Sequence, residues 1–362
     1  MTTPGTAIVT GAGGQDGFFL IRRLLREGWT VHGVARGRRQ VGAAPLPEDA
    51  GGRLTSHDLD VLDADGMSRL VRETQPDEIY NLAGHSSVSA SFANPAEAWG
   101  TNAEAVLGLL EVIRRHAPAT RMYQASSGEM FGTARASEVV HDEESGFLPE
   151  SPYAVAKAAA HLLCGTYRRV FGLRVACGIL FNHESHRRPD QFLSRKVTDH
   201  VLRIRDLPGG PSSAAPLKVG NLRAHRDWGF APDYVDGMIC ILRQIEVRGM
   251  QPEGLQDVDE ASHYRDYVLA TGQLHAVWEL VDRAFALGGM DLHWHRDAPK
   301  VEDWHATFHA DGGLAVVVDP ALLRPSDPHS IAADPSRAKR ELGWSPQVGL
   351  DVFLNDMINR GA

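Results

Sequence analysis

The chain is predicted to be an α/β protein, a doubly wound parallel sheet carrying a smaller second lobe. Three observations carry that prediction. Short apolar runs alternate with amphipathic segments through the first half, the pattern of βαβ units. A glycine-rich turn, Gly11 to Gly17, sits between the first apolar run and the first amphipathic segment. The alternation then loosens after Phe181, where polar and Pro/Gly-rich stretches break it.

In chain order, strands are expected at 7–10, 30–35, 54–57, 78–82, 122–125 and 174–179. Helices are expected between them at 16–27, 66–74, 97–116 and 153–171. The segment 208–213 reads as a loop, and so does polar 252–264. Helical patterns recur at 232–247, at 275–287 and near the C-terminus. The division expected is 1–180 for a nucleotide-binding domain and 181–362 mainly for a substrate-binding lobe, with part of 220–275 crossing back.

With 362 residues and 43% apolar content, the chain can bury a sizeable core. A net charge of −9 disfavours nucleic acid and anionic membrane as partners, so any anion site must rest on local cations. The three cysteines, Cys164, Cys177 and Cys240, show no metal or redox spacing. No signal peptide and no apolar span are read, and the expected location is the cytoplasm.

The turn Gly11, Gly14, Gln15, Asp16, Gly17 reads as a dinucleotide site. Glycines let backbone approach a pyrophosphate, and the following helix offers free N–H groups and a positive dipole end. The spacing is the extended short-chain variant of the Rossmann fingerprint. At the end of the second strand an acid would hold a ribose 2′-hydroxyl, but here Arg36 stands, followed by Arg38 and Arg39. Planar guanidinium groups suit a 2′-phosphate, so NADP is the expected cofactor. Asp58 and Leu59, after the third strand, are placed to edge the adenine.

Tyr153 and Lys157 lie four residues apart, on one face of a predicted helix. An ammonium beside a phenol favours the phenolate, which can take a proton from an alcohol. Ser126 and Ser127 follow the fifth strand, whose carboxyl end faces the ligand crevice. Ser127 can hydrogen-bond the oxygen that Tyr153 deprotonates. That layout is the short-chain dehydrogenase/reductase one. Glu129 adds something a plain alcohol dehydrogenase does not need. Beside a new ketone, a carboxylate can remove the adjacent proton and drive loss of water from the next carbon.

These residues resemble the GDP-mannose 4,6-dehydratase family along nearly the whole chain. The resemblance is carried by Thr10–Gly17, Val31–Val34, Glu78–Leu82 and Tyr123–Ser126, then by Gly178–Ser185 with Arg187 and Arg188. Gly220–Leu222, Arg226–Gly229, Asp233–Val235, Ala270–Gly272 and Arg324–Ser326 complete it. It implies NADP, a GDP-linked sugar substrate and a homodimer or homotetramer. It implies catalytic roles for Ser127, Glu129, Tyr153 and Lys157, the last two also touching the cofactor. It places Asn182, Glu184, Arg188, Lys196, Arg226, Arg324 and Asp327 at the nucleotide sugar. Where the family has glutamine and histidine beside the sugar, this chain has His85 and Ser87. A GDP-linked heptose is therefore an alternative substrate. A nucleotide-sugar epimerase would share Tyr153 and Lys157 without needing Glu129, and a silent nucleotide-sugar sensor would need no catalytic set. His183 and His186 have the wrong spacing for a helical metal motif, and the cluster His293, His295, His305 and His309 lacks acid or thiol partners, so no metal is expected.

Overall fold

The computed structural model describes residues 4–37, 51–132, 140–248, 261, 263–324 and 330–359. Strands β1 (Thr6–Thr10), β2 (Thr30–Ala35), β3 (Leu54–Asp58), β4 (Glu78–Asn81) and β5 (Arg121–Ser127) lead the chain. They are followed by β6 (Val140–His141), β7 (Val175–Leu180), β8 (Asn182–Glu184), β9 (Leu217–Val219), β10 (His225–Phe230) and β11 (Tyr267–Leu269). Then come β12 (Leu274–Ala276), β13 (Leu292–His295), β14 (His305–Phe308), β15 (Leu314–Val318) and β16 (Ala332–Ala333). The helices needed below are α1 (Gln15–Arg26), α2 (Ala64–Thr74), α3 (Val88–Ala93), α4 (Pro95–Trp99), α5 (Ala105–His116), α6 (Pro152–Phe171), α7 (Leu193–Arg205) and α8 (Ala231–Leu242).

A seven-stranded parallel sheet, ordered β11-β7-β5-β4-β1-β2-β3, forms the centre. The order turns outward from β1 in both directions, which opens a crevice at the strands' carboxyl ends. One face is covered by α1 and α8, whose Leu20, Leu24, Tyr234 and Met238 pack with Val9, Tyr80 and Tyr123. The other is covered by α2, α5 and α6, where Leu70, Val106, Leu110 and Cys164 meet Ile8, Ile79 and Val175. β11 comes from beyond residue 260 and completes this sheet, and α8 packs on it too.

A separate core, with Val197, Leu217, Trp228, Leu280, Phe285, Val316 and Phe353, holds the second lobe. It is flanked by the short sheets β12-β10-β8 and β13-β14-β15-β9. Burying this second cluster gives the lobe its own apolar driving force. It places β8 and β10 side by side in parallel, pairing Asn182 with Trp228 and Glu184 with Phe230.

The helix expected at 97–116 is present as a continuous run from Pro95 to His116, with a π-helical turn at Gly100–Glu104 between α4 and α5. Such a turn adds a residue per hydrogen-bonded ring and redirects side chains, often at functional sites. The helical pattern expected from 275 begins as strand β12, and helix follows at Val277–Leu287. Most of the loop expected at 252–264 lies outside the described residues.

Candidate active site

The glycine loop is shaped by what would collide if it were not glycine. Gly11 has φ +69°, and a Cβ there would meet the Leu82 carbonyl and the Ala83 nitrogen at 2.8 Å. A Cβ on Gly17 would come within 2.5 Å of the Gly11 oxygen. The loop therefore turns tightly beneath the N-terminus of α1, whose first N–H groups are the anion-binding feature the sequence implied. Its polar side chains point inward. Gln15 Nε2 donates to the His183 carbonyl at 3.0 Å, and Gln15 Oε1 accepts from the Ser185 hydroxyl at 2.8 Å. Asp16 Oδ2 lies 2.9 Å from His183 Nε2.

At the far edge, Arg36 is exposed, with Nη1 3.6 Å from Asp60 Oδ2. Asp58 Oδ1 accepts the Gly37 N–H at 2.7 Å, which closes the β2 turn onto β3. Leu59 packs against the core formed by α2 and α5. Arg38 and Arg39 lie outside the described residues.

The catalytic candidates come together where β5 ends and α6 begins. Ser151 caps α6, its hydroxyl accepting the Ala154 N–H at 3.1 Å, and Pro152 opens the first turn. That cap fixes Tyr153 and Lys157 in the first two turns. Lys157 Nζ donates to the Ala125 carbonyl at 2.9 Å and lies 5.9 Å from the Tyr153 ring centre. Ser127, the last residue of β5, accepts the Glu129 N–H at 3.3 Å, which hangs Glu129 beside it on the short turn Gly128–Phe131.

The electrostatics tie these groups together. Burial pushes the Tyr153 hydroxyl up to about 12, a hydrogen bond from Ser127 pulls it back, and the Glu129 carboxylate raises it again. Burial pushes Lys157 down to about 8, with Asp16 partly restoring its charge. The tyrosine thus feels Ser127 and Glu129 directly, so all four predicted residues share one site.

Sequence reasoning missed Asn102. It is 1% exposed and stands in the π-helical turn. Its Nδ2 donates to Ala98 and His85 carbonyls at 2.9 and 3.3 Å, while its Oδ1 is buried without a partner. A Cβ on Gly84 would lie 2.7 Å from Asn102 Oδ1 and 3.4 Å from Lys157 Nζ, so both border the same backbone. No spacing in the sequence announces such a turn.

The substrate candidates are arranged in two groups. Asn182 and Glu184 lie on β8, which follows β7, the strand that pairs with β5. Glu184 is 2% exposed, and its Oε2 accepts the Ser194 hydroxyl and lies 3.1 Å from Arg188 Nε. The Arg188 guanidinium covers the Phe192 ring at 3.8 Å and its charge reaches Tyr153 and Asp16. His85 Nδ1 is buried without a partner. Ser87 caps α3, its hydroxyl accepting the Ala90 N–H at 3.2 Å.

In the second lobe, burial lowers Lys196, Asp319 opposes that and Lys218 reinforces it. Lys218 Nζ lies 3.4 Å from Asp319 Oδ2. Arg226, on β10, donates from Nη1 to the His225 carbonyl at 2.8 Å. Arg324 is the last described residue before the gap that contains Asp327. Among the described residues, no three or more His, Cys, Asp or Glu are grouped to hold a metal, and no helix is long and apolar enough to cross a membrane.

Comparison with known proteins matches residues 8–357 to the sequence model of a family described as GDP-mannose 4,6 dehydratase. A Vibrio cholerae protein named GDP-mannose 4,6-dehydratase is 35% identical, over 97% of this chain and 92% of its own. An Arabidopsis thaliana protein named GDP-mannose 4,6 dehydratase 2 is 35% identical, over 98% and 86%. In fold, the chain is similar to a Thermus thermophilus UDP-glucose 4-epimerase solved with NAD (TM-score 0.74, 21% identity, 99% of both chains covered).

Proposed function

Because the chain belongs to the GDP-mannose 4,6-dehydratase family, we propose that it converts a GDP-linked mannose-type sugar to its 4-keto-6-deoxy derivative. The observation that carries this is the shared electrostatic environment of Tyr153, Ser127 and Glu129.

NADP, when bound, supplies the hydride acceptor at C4 and the hydride donor at C6. Tyr153 takes the proton of the C4 hydroxyl, with Ser127 hydrogen-bonding that oxygen. The phenolate this requires is opposed by burial and favoured by the Ser127 hydrogen bond and the Arg188 charge, with the Lys157 ammonium 5.9 Å from the Tyr153 ring centre. Glu129 removes the C5 proton once C4 is a ketone and gives it to the departing C6 hydroxyl, which leaves as water; when hydride returns to C6, C5 takes up one proton from solvent. The glycine cradle, where side chains would collide, fits a pyrophosphate. The residue directly after β2 is Arg36 rather than an acid, which supports NADP over NAD. Lys196 and Lys218, both acted on by the Asp319 carboxylate, suit a diphosphate.

An epimerase would leave Glu129 without a task. A GDP-linked heptose is the second reading, favoured by His85, whose unpaired Nδ1 can meet an additional hydroxyl. Assembly as a homodimer is supported by exposed Trp99, Leu107, Val155, Leu162, Val170 and Phe171 on the neighbouring helices α4, α5 and α6.

Incubation with GDP-mannose and NADP tests the reading by mass spectrometry. The product should be one water lighter with no reduced cofactor accumulating. Reduced cofactor rising in step with product would overturn it.

A further inference from the structure

The glycine loop grips β8 through a contact that the catalytic roles do not use. His183 is 7% exposed, and each of its ring nitrogens meets an oxygen. Nδ1 lies 2.7 Å from the Phe181 carbonyl, and Nε2 lies 2.9 Å from Asp16 Oδ2. A carbonyl has no proton to give, so Nδ1 must donate. An ionised carboxylate has none either, so Nε2 must donate as well. A ring donating from both nitrogens is an imidazolium. A neutral ring would require Asp16 to keep its proton, although Gln15 Nε2 already donates to Asp16 Oδ1 at 3.1 Å.

We infer that His183 is held as an imidazolium against the Asp16 carboxylate, and that this pair positions the site by fastening the cofactor loop to the substrate strand while offsetting the Asp16 charge that faces Tyr153. The charged and titratable groups around the pair come from several elements. Asp16 belongs to α1. Arg188, beyond β8, acts on both members. Tyr234 of α8 stacks on the imidazole at 4.6 Å and 21°. Tyr153 and Lys157 of α6 both feel Asp16.

Both partners move in the direction the pair demands. Burial works against the imidazolium, yet Asp16 holds His183 above its ordinary value. Burial likewise works against the carboxylate, yet His183 and Arg188 hold Asp16 below its own. A buried ion pair adds little to stability over an apolar one, so its value here lies in geometry and charge. Without the imidazolium, Asp16 would stand less compensated beside Tyr153 and oppose the phenolate more strongly.

The inference rests on the dehydratase reading only for its kinetic arm. Histidine-selective ¹⁵N NMR of the cofactor-loaded protein reads the protonation directly, with the His183 signal identified by its loss in His183→Gln. Protons on both His183 nitrogens are expected at about pH 7, where an ordinary histidine is mostly neutral. One bare nitrogen would overturn the inference, whatever the substrate. In turnover, His183→Gln should lower kcat by ~10–100-fold, and adding Asp16→Asn should recover part of that loss. Strictly additive losses in the double variant would also overturn it.

Discussion

Lys157 shows how one residue sets the enzyme's working range. It is an almost fully buried ammonium that donates to the Ala125 backbone carbonyl. Its ordinary value is depressed to about 8 by burial, so the cation is present below that pH and lost above it. The proposed phenolate needs the cation, so kcat/KM should fall as pH rises through about 8. A flat profile to pH 10 would count against it. The same desolvation means Lys157→Met should stabilise the fold by ~1–3 kcal/mol at neutral pH in denaturant titrations while removing turnover. Glu129→Gln should leave cofactor binding intact and abolish water loss, with an effect of ~10²–10⁴ on kcat. These residues were legible in the sequence because residue type and spacing define their chemistry. Asn102 and the Asp16–His183 contact were not. The first depends on a π-helical turn, and the second joins positions 167 apart in the chain.

At the scale of elements, α6 is the part whose placement matters most. Its capping hydroxyl precedes the two catalytic side chains by two and six positions. Ser151→Ala should cost about 1 kcal/mol and loosen Tyr153 against Ser127, which urea titration and a kcat assay would register together. A second junction locks β4 to α8. Glu78 is fully buried, and Arg243 donates to it from Nε at 2.8 Å and from Nη2 at 3.0 Å, with Arg121 Nη2 at 3.0 Å. Arg243→Met should cost about 3–5 kcal/mol, since it leaves a buried carboxylate short of a partner. A loss below about 1 kcal/mol would contradict that. Six of the sheet's seven strands were readable from the alternation of strand-like and helix-like segments. β11 was not, because three residues, Tyr267–Leu269, make too short a run until β7 pairs with them. The three-residue strands β8, β9 and β12 escaped for the same reason, as their identity comes from tertiary pairing.

For the whole molecule, the apolar residues form separate cores, and the pairing of Ser127 with Leu180 sets Asn182 two residues beyond the end of β5. An exposed apolar face on α4, α5 and α6 predicts self-association. Leu162→Arg, at a position 59% exposed, should lower the mass found by light scattering without altering the circular-dichroism spectrum. The central claim, however, is that one site oxidises C4, expels water and reduces C6 within a single residence. A GDP-mannose carrying deuterium at C4 tests this most directly. The account predicts a product one water lighter with that deuterium at C6. Deuterium found in free reduced cofactor, or still at C4 of a released product, would contradict it.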